Sequence, residues 1–501
     1  MPGIGVHDDF FHLGGDSIRA VQLAGALHDR GWQVSLRDVF NAPTVAALLP
    51  LARPVEAAPG ADLPFALIDE EDRAELPPGI VDAYPMVSMQ LSMVFHMEVA
   101  GGTDSYHNVN SYRISGDLDE TAFRRSVNEA MARHAVLRTG LDLSGYGEPL
   151  QLVHGTLPAP VEFADLRDRP EAQQDPEVRA VFEDHRDRPF DLAEPPLFRI
   201  TVQRLADRAF QLTVSEHHAI LDGWSFTSLL TEILERHTAL TADPVSAPAA
   251  PPRTAFRDFV AVERAASTDP DSLAYWHQRL DGATGQLWPG SEDVHELPRT
   301  VERVLPDAPG QLRAVADALS VPVKSVALAA HLYALARITG RQRVTTGLAM
   351  NGRLERLGGT EVYGLFLNTV PLVAEPGEDL AALVRHVHRE ELDMMPHRRV
   401  PFARLARMMA DTALDSQFGY LRFHALGRLS AARIEDGRIG SEPTYRHEPN
   451  SFTFGASLIQ DPASQRVLLA VDHQRALVDD ATAEEFIDTY AGALARLAGE
   501  V

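Results

Sequence analysis

Residues 215–225 read SEHHAILDGWS: adjacent histidines at 217 and 218, then an aspartate and a glycine at 222 and 223. Upstream, AFQLTVS (209–215) has the apolar–polar alternation of a strand, and downstream FTSLLTEILERH (226–237) has helical spacing, with the helix expected to begin at or near Ser225. The connection between them is therefore a loop held at both ends, where side chains are exposed and positioned together. A neutral imidazole there can take a proton near pH 7. Gly223 is expected to allow a backbone geometry that a side chain would resist. The competing reading is a surface loop with incidental histidines. A metal site would need further ligands at fixed spacing, and the sequence offers no cysteine or carboxylate set for one.

The 501 residues are too many for one ordinary domain and suggest about three units. A formal net charge of −25 argues against nucleic acid as a partner, because phosphates attract basic surfaces. No apolar run approaches bilayer-spanning length, and MPGIGVHDDFF lacks the basic start and apolar stretch of a signal peptide. No membrane partner and a cytoplasmic location are the expectation. Cysteine is absent, so any thiol chemistry must arrive on a cofactor.

Residues 1–52 read as a small helical unit, with Gly31 stopping the first helix and Asn41 and Thr44 as cap or turn residues. Residues 53–79, rich in proline, alanine and acidic groups, read as a linker. Helical and strand patterns then mix across 80–250 and 251–501, two lobes divided near the low-complexity ADPVSAPAAPP (242–252). The fold class expected is α+β or α/β.

Near the N-terminus, DDFFHLGGDSIRAVQL sets Ser17 after two glycines at the start of a helix. Free amides and the helix dipole make such a position a seat for a phosphate ester. The alternative is an ordinary helix cap made by Asp16 or Ser17. In this context the stretch resembles the thiolation (peptidyl carrier) domains of nonribosomal peptide synthetases. The resemblance implies that Ser17 carries 4′-phosphopantetheine, which supplies the missing sulfur. Only sixteen residues precede Ser17, so the first helix of the carrier bundle is expected to be missing.

HHAILDG in turn resembles the HHxxxDG signature of condensation domains, which share their fold with chloramphenicol acetyltransferase. Further family motifs are matched in order by YPMVSMQLSMVFHM (84–97), ARHAVLRTGL (132–141), YWHQRLDGA (275–283), VYGLFLNTVPL (362–372), HRRVPFARLA (397–406), SQFGYLRFHAL and NSFTFGASL. The implied architecture is a V-shaped pair of lobes. The implied catalytic set is His218, His217, Asp222 and Gly223, with His218 the reacting group and His217 and Asp222 structural. Arg353 is the implied partner of Asp222. Arg138, Ser225 and Asn368 are expected near the channel, with packing or capping as the competing role. Trp224 is expected as a wall residue.

The activity implied is peptide-bond formation between a donor thioester on Ser17 and an aminoacyl thioester on a downstream carrier, with no metal. An upstream adenylation domain and a phosphopantetheinyl transferase are the other implied partners. Epimerisation of a carrier-bound residue and a non-catalytic recruitment platform are the alternatives. The intact double histidine and the GLFLNT run favour condensation over both.

Overall fold

The alternation read in 198–217 produces two antiparallel strands, Phe198–Ala206 and Ala209–His217, with Phe198 opposite Glu216 and Ala206 opposite Ala209. The computed structural model describes residues 4–11, 13, 15, 17–55, 63–99, 106–290, 298–356, 358–411, 413–421, 444–449, 452–461 and 464–500, with the Ser17 side chain excepted. Asp16 and most of the second half of SQFGYLRFHAL lie outside these residues.

The hairpin sits in a five-stranded sheet in the order Tyr445–His447, His107–Ser115, Ala209–His217, Phe198–Ala206, Val161–Asp165. Side chains alternate across it. One face packs Phe210, Leu212 and Val214 against helices Glu120–Arg133 and Gly223–Ala242. The other carries Ser215 and Thr201, both bonded to His185 of helix Glu171–Asp187. A three-stranded sheet (Ile80–Pro85, Leu150–His154, Thr139–Asp142) completes the first lobe.

The second lobe is built on six strands in the order Arg299–Val304, Val467–His473, Phe454–Gln460, Ser416–Leu421, Val344–Asn351, Leu367–Ala374. Helices Ala308–Leu319, Val323–Thr339, Leu380–Met394 and Asp480–Glu500 supply the rest of its core. Among the described residues no single helix is long and apolar enough to cross a membrane.

Segments beyond residue 250 also pack on the first lobe. Tyr445–His447 crosses back to pair with His107–Ser115 of the first lobe. Helix Phe256–Ala266 packs Phe256 and Phe259 with Tyr84 and Val153, and Glu263 accepts from the Ser88 amide at 2.8 Å. The low-complexity break is pinned to the first lobe: Arg125, Arg236 and Arg133 donate to the carbonyls of Pro244, Ser246 and Ala250.

The N-terminal unit has helices Ser17–His28, Leu36–Asn41 and Val45–Leu48. Ser35 and Asp38 form a reciprocal capping box and Thr44 caps the third helix, whereas Asn41 is the last residue of the second. Its Ala20, Val21, Ala24, Leu36 and Val39 join one continuous core with the second lobe. The stretch expected as a linker divides. Arg53–Pro54 pairs with Trp32–Gln33 of the N-terminal unit. Residues 63–79 instead lie on the first lobe, where Phe65, Ile68 and Leu76 pack and the Phe65 amide donates to Asp82.

Candidate active site

Asp222 begins the site. Its carboxylate caps helix Gly223–Ala242, accepting from the Ser225 amide at 2.7 Å. The helix therefore starts at Gly223, two residues earlier than the sequence pattern places it. Gly223 is its first residue and is absent from the glycines with positive φ, so the permissive backbone expected there is not used.

Arg353, from the second lobe, donates to both carboxylate oxygens of Asp222, at 2.6 and 3.0 Å, and to Ser225 Oγ at 2.6 Å. Both members of the pair are 1% exposed, and the guanidinium lies 4.3 Å from the centre of the Phe366 ring. Burial works against the charge on Asp222, but Arg353 and Ser225 outweigh it and hold the carboxyl below its ordinary value. Ser225 Oγ also donates to the Gly364 carbonyl and accepts from the Gly364 amide. The Phe256 ring packs so close to the Gly364 backbone that a Cβ there would meet it at 2.3 Å. Asp222, Ser225 and Arg353 thus form one buried clasp between the lobes.

The clasp fixes the loop that carries the histidines. His218 is held through its amide, which donates to Tyr106. Its side chain is 25% exposed and lines a cavity of about 900 Å³ between the lobes. Nδ1 is buried, 3.9 Å from Glu216 Oε1, and the ring is also influenced by the Leu221 backbone. Burial pushes the imidazole pKa down, against the pull of Asp222 and Glu448, so the ring is held neutral. His217 does not line the cavity. It is buried, with Nδ1 accepting from the Ala219 amide and Nε2 3.2 Å from Met97 Sδ.

Asn368 lines the cavity and stitches the HRRVPF loop, donating to the carbonyls of Arg398 and Val400 and accepting from the Phe402 amide. Trp224 is in the wall, its indole 3.4 Å from the Thr360 carbonyl. Arg138 is a correction. It does not line the cavity; its guanidinium gathers the carbonyls of Met131, His154 and Gly155 inside the first lobe.

Two further carboxylates, away from the cavity lining, are held by residues of the quoted motifs. Glu232 accepts from Tyr363, Arg133 and His134, and His134 stacks on Tyr363 at 3.8 Å. Burial opposes the charge on Glu232, yet these partners hold its pKa at about 2. Glu355 is held at about 2 in the same way by Arg398 and Arg399. Glu216 and Glu448 line the cavity beside His218. Glu216 stands next to the histidine pair in sequence and could have been singled out by alternation, since residue 216 shares a sheet face with residues 212 and 214.

At its other end the same cavity reaches Phe11, Gly15, Ile18, Leu36 and Phe40 of the N-terminal unit. Ser17 is the first residue of a twelve-residue helix whose start faces this opening. A Cβ on Gly15 would strike the Phe10 ring at 2.3 Å, so the turn before Ser17 needs glycine. The start of this helix fits a phosphate ester. Among the described residues no group of three or more His, Asp or Glu is placed to hold a metal ion.

Two lobes with an HHxxxDG loop clasped at their junction define the chloramphenicol acetyltransferase-like class. Residues 80–500 match the family model of the condensation domain, and residues 1–49 match that of the phosphopantetheine attachment site. The chain belongs to the condensation-domain family, the peptide-bond-forming acyltransferases of nonribosomal peptide synthetases, and carries a phosphopantetheine attachment domain ahead of it.

Among similar proteins, AMB antimetabolite synthetase AmbE of Pseudomonas aeruginosa is 38% identical over 437 residues, 84% of this chain and 20% of that protein. Phosphinothricin tripeptide synthetase PhsB of Streptomyces viridochromogenes is 29% identical, covering 91% of this chain and 38% of that protein. The chain thus spans about a fifth to two fifths of the length of these relatives. In solved structures the fold is shared with SgcC5 of Streptomyces globisporus (TM-score 0.66, 20% identity, 83% of this chain and 98% of that one). It is shared too with the first condensation domain of the calcium-dependent antibiotic synthetase (TM-score 0.64, 18% identity, 83% and 96%).

Proposed function

We propose that this chain joins an acyl or peptidyl donor, held on its own N-terminal carrier, to the amine of an aminoacyl group held on a separate downstream carrier. The observation that carries this reading is the single cavity running from the start of the Ser17 helix to His218. When bound at Ser17, phosphopantetheine supplies the thiol on which the donor is presented. The protein's part is to hold donor carbonyl and acceptor amine together in one enclosed space, which converts an encounter into a local reaction.

His218 is the group that touches the reacting atoms. With Nδ1 buried, proton exchange with the attacking amine falls to Nε2, and the neutral ring is already in the form that accepts a proton. Asp222, Arg353 and Ser225 act through His218 by fixing its loop. His217 packs beneath it. The carrier is assigned to residues 1–52, the connection to 53–79, and the lobes to 80–250 and 251–501. The partners are an upstream adenylation domain, a phosphopantetheinyl transferase and the downstream carrier, in the cytoplasm, without nucleic acid or membrane.

The test loads Ser17 from an aminoacyl coenzyme A analogue, adds an aminoacylated downstream carrier and follows both proteins by intact mass. The donor mass is expected to move to the acceptor. Complete loading with no transfer across a panel of acceptors would refute the reading.

A further inference from the structure

The cavity wall beside His218 carries a cluster of acidic and amide side chains. Asn108 and Asn110 lie on one strand and Glu216 on its neighbour, with Asn108 directly opposite Glu216, so all three share a face of the sheet. Asn108 Nδ2 donates to Glu216 Oε1 at 2.7 Å, and Asn110 Nδ2 donates to Glu448 Oε1 at 2.9 Å. Each amide has therefore turned its donor toward a carboxylate. Two acceptors beside them are left over. Glu216 Oε2 and Asn110 Oδ1 are buried without a hydrogen-bond partner, and each residue is 2% exposed. The cations nearby are engaged elsewhere: Arg353 by Asp222, and Arg446 by Glu302.

Buried acceptors with no donor are costly, and a site that keeps them is complete only with a ligand that brings several N–H groups. Among the described residues no cation is paired with either acidic side chain, and this sets the sign of its charge. We infer that Glu216, Glu448, Asn108 and Asn110 form a subsite for a positively charged nitrogen group of the substrate, an alkylammonium or guanidinium held beside the reacting centre. The inference rests on the condensation reading of the cavity and deepens it. Glu216 Oε1 is 3.9 Å from His218 Nδ1, so the cation belongs close to the bond being made. Two substrate groups have this chemistry: the α-ammonium of the acceptor, and a short basic side chain on either partner. Burial, assisted by Glu448 and Asp222, raises the Glu216 pKa, and an arriving positive charge would lower it.

The full chain is titrated calorimetrically with three pantetheine amides: glycyl, which has an α-ammonium; N-acetyl-2,3-diaminopropionyl, which has only a side-chain ammonium; and neutral N-acetyl-alanyl. One cationic ligand is expected to bind at least about tenfold more tightly than the neutral one, and which one identifies the source of the charge. The preference is expected to fall severalfold in Glu216→Gln, which keeps the side chain's shape, and less in the more exposed Glu448→Gln. Equal affinity for all three, no binding by either cation, or a preference unchanged in both variants would overturn the subsite. Because binding needs no turnover, a chain that failed to form peptide bonds would still show it. A chain that joined neutral substrates without any cation preference would lose only this inference.

Discussion

The two ends of the cavity are held on different terms. At the His218 end, Asp222, Ser225 and Arg353 are at most 1% exposed, and their hydrogen bonds tie residues more than a hundred positions apart. At the carrier end, the N-terminal unit meets the second lobe through Ala20, Val21, Ala24, Leu36 and Val39 and through exposed ion pairs, among them Arg37–Asp393, whose side chains are 45% and 40% exposed. The first is a fixed frame for a reacting group. The second combines a few apolar side chains with solvent-exposed ion pairs.

This contrast predicts a gradient of effects. Breaking the clasp comes first. Arg353→Met leaves Asp222 charged and buried, at a cost of about 3–5 kcal/mol in denaturant unfolding. Replacing both partners with apolar residues should cost less, because no unpaired charge remains. Gly364→Ala drives a Cβ into the Phe256 ring and should cost about 1–3 kcal/mol. Equal stability of Arg353→Met and wild type would remove the frame from the account.

Next is acidity. Burial lowers the His218 pKa from 6.5, so the proton-accepting form persists as the pH falls through that value. The midpoint of the decline in transfer is expected below pH 6.5. A rate already halved at or above that pH would show that the ring is not held neutral by its surroundings. Last is the carrier contact. Arg37→Ala should change stability by less than about 1 kcal/mol, since exposed pairs contribute little. Its effect should appear as a weaker apparent affinity between the ends, vanishing at high salt. An unfolding cost like that of Arg353→Met would make the carrier a fixed part of the frame.

Much of the fixed end was legible from residue order, because a cap, a strand and a helix impose local rules. SEHHAILDGWS announces a loop between a strand and a helix, and Asp222 with Ser225 has the spacing of a cap. Arg353 could be named only through the family resemblance, and its guanidinium lies against Asp222. Arg138 marks the limit: its place in a motif says nothing of the direction of its side chain, which turns inward to three carbonyls. Gly223 shows another, since a helix can begin at glycine without using its freedom.

Contacts that depend on long-range pairing were not legible. Tyr445–His447 joins a sheet more than three hundred residues upstream, and Glu448 arrives at the cavity with it. Residues 63–79 look like linker by composition, yet three apolar side chains there suffice to dock on the first lobe.

The most direct test of the account compares wild type with His218→Ala by intact mass, starting from Ser17-loaded protein and an aminoacylated downstream carrier. The variant should load fully and unfold like wild type, because its ring is in the cavity wall and not in the clasp. Its donor-to-acceptor transfer should fall by about 10²–10⁴-fold. Transfer at the wild-type rate in a folded, loaded His218→Ala protein would contradict the assignment of the reaction to this residue.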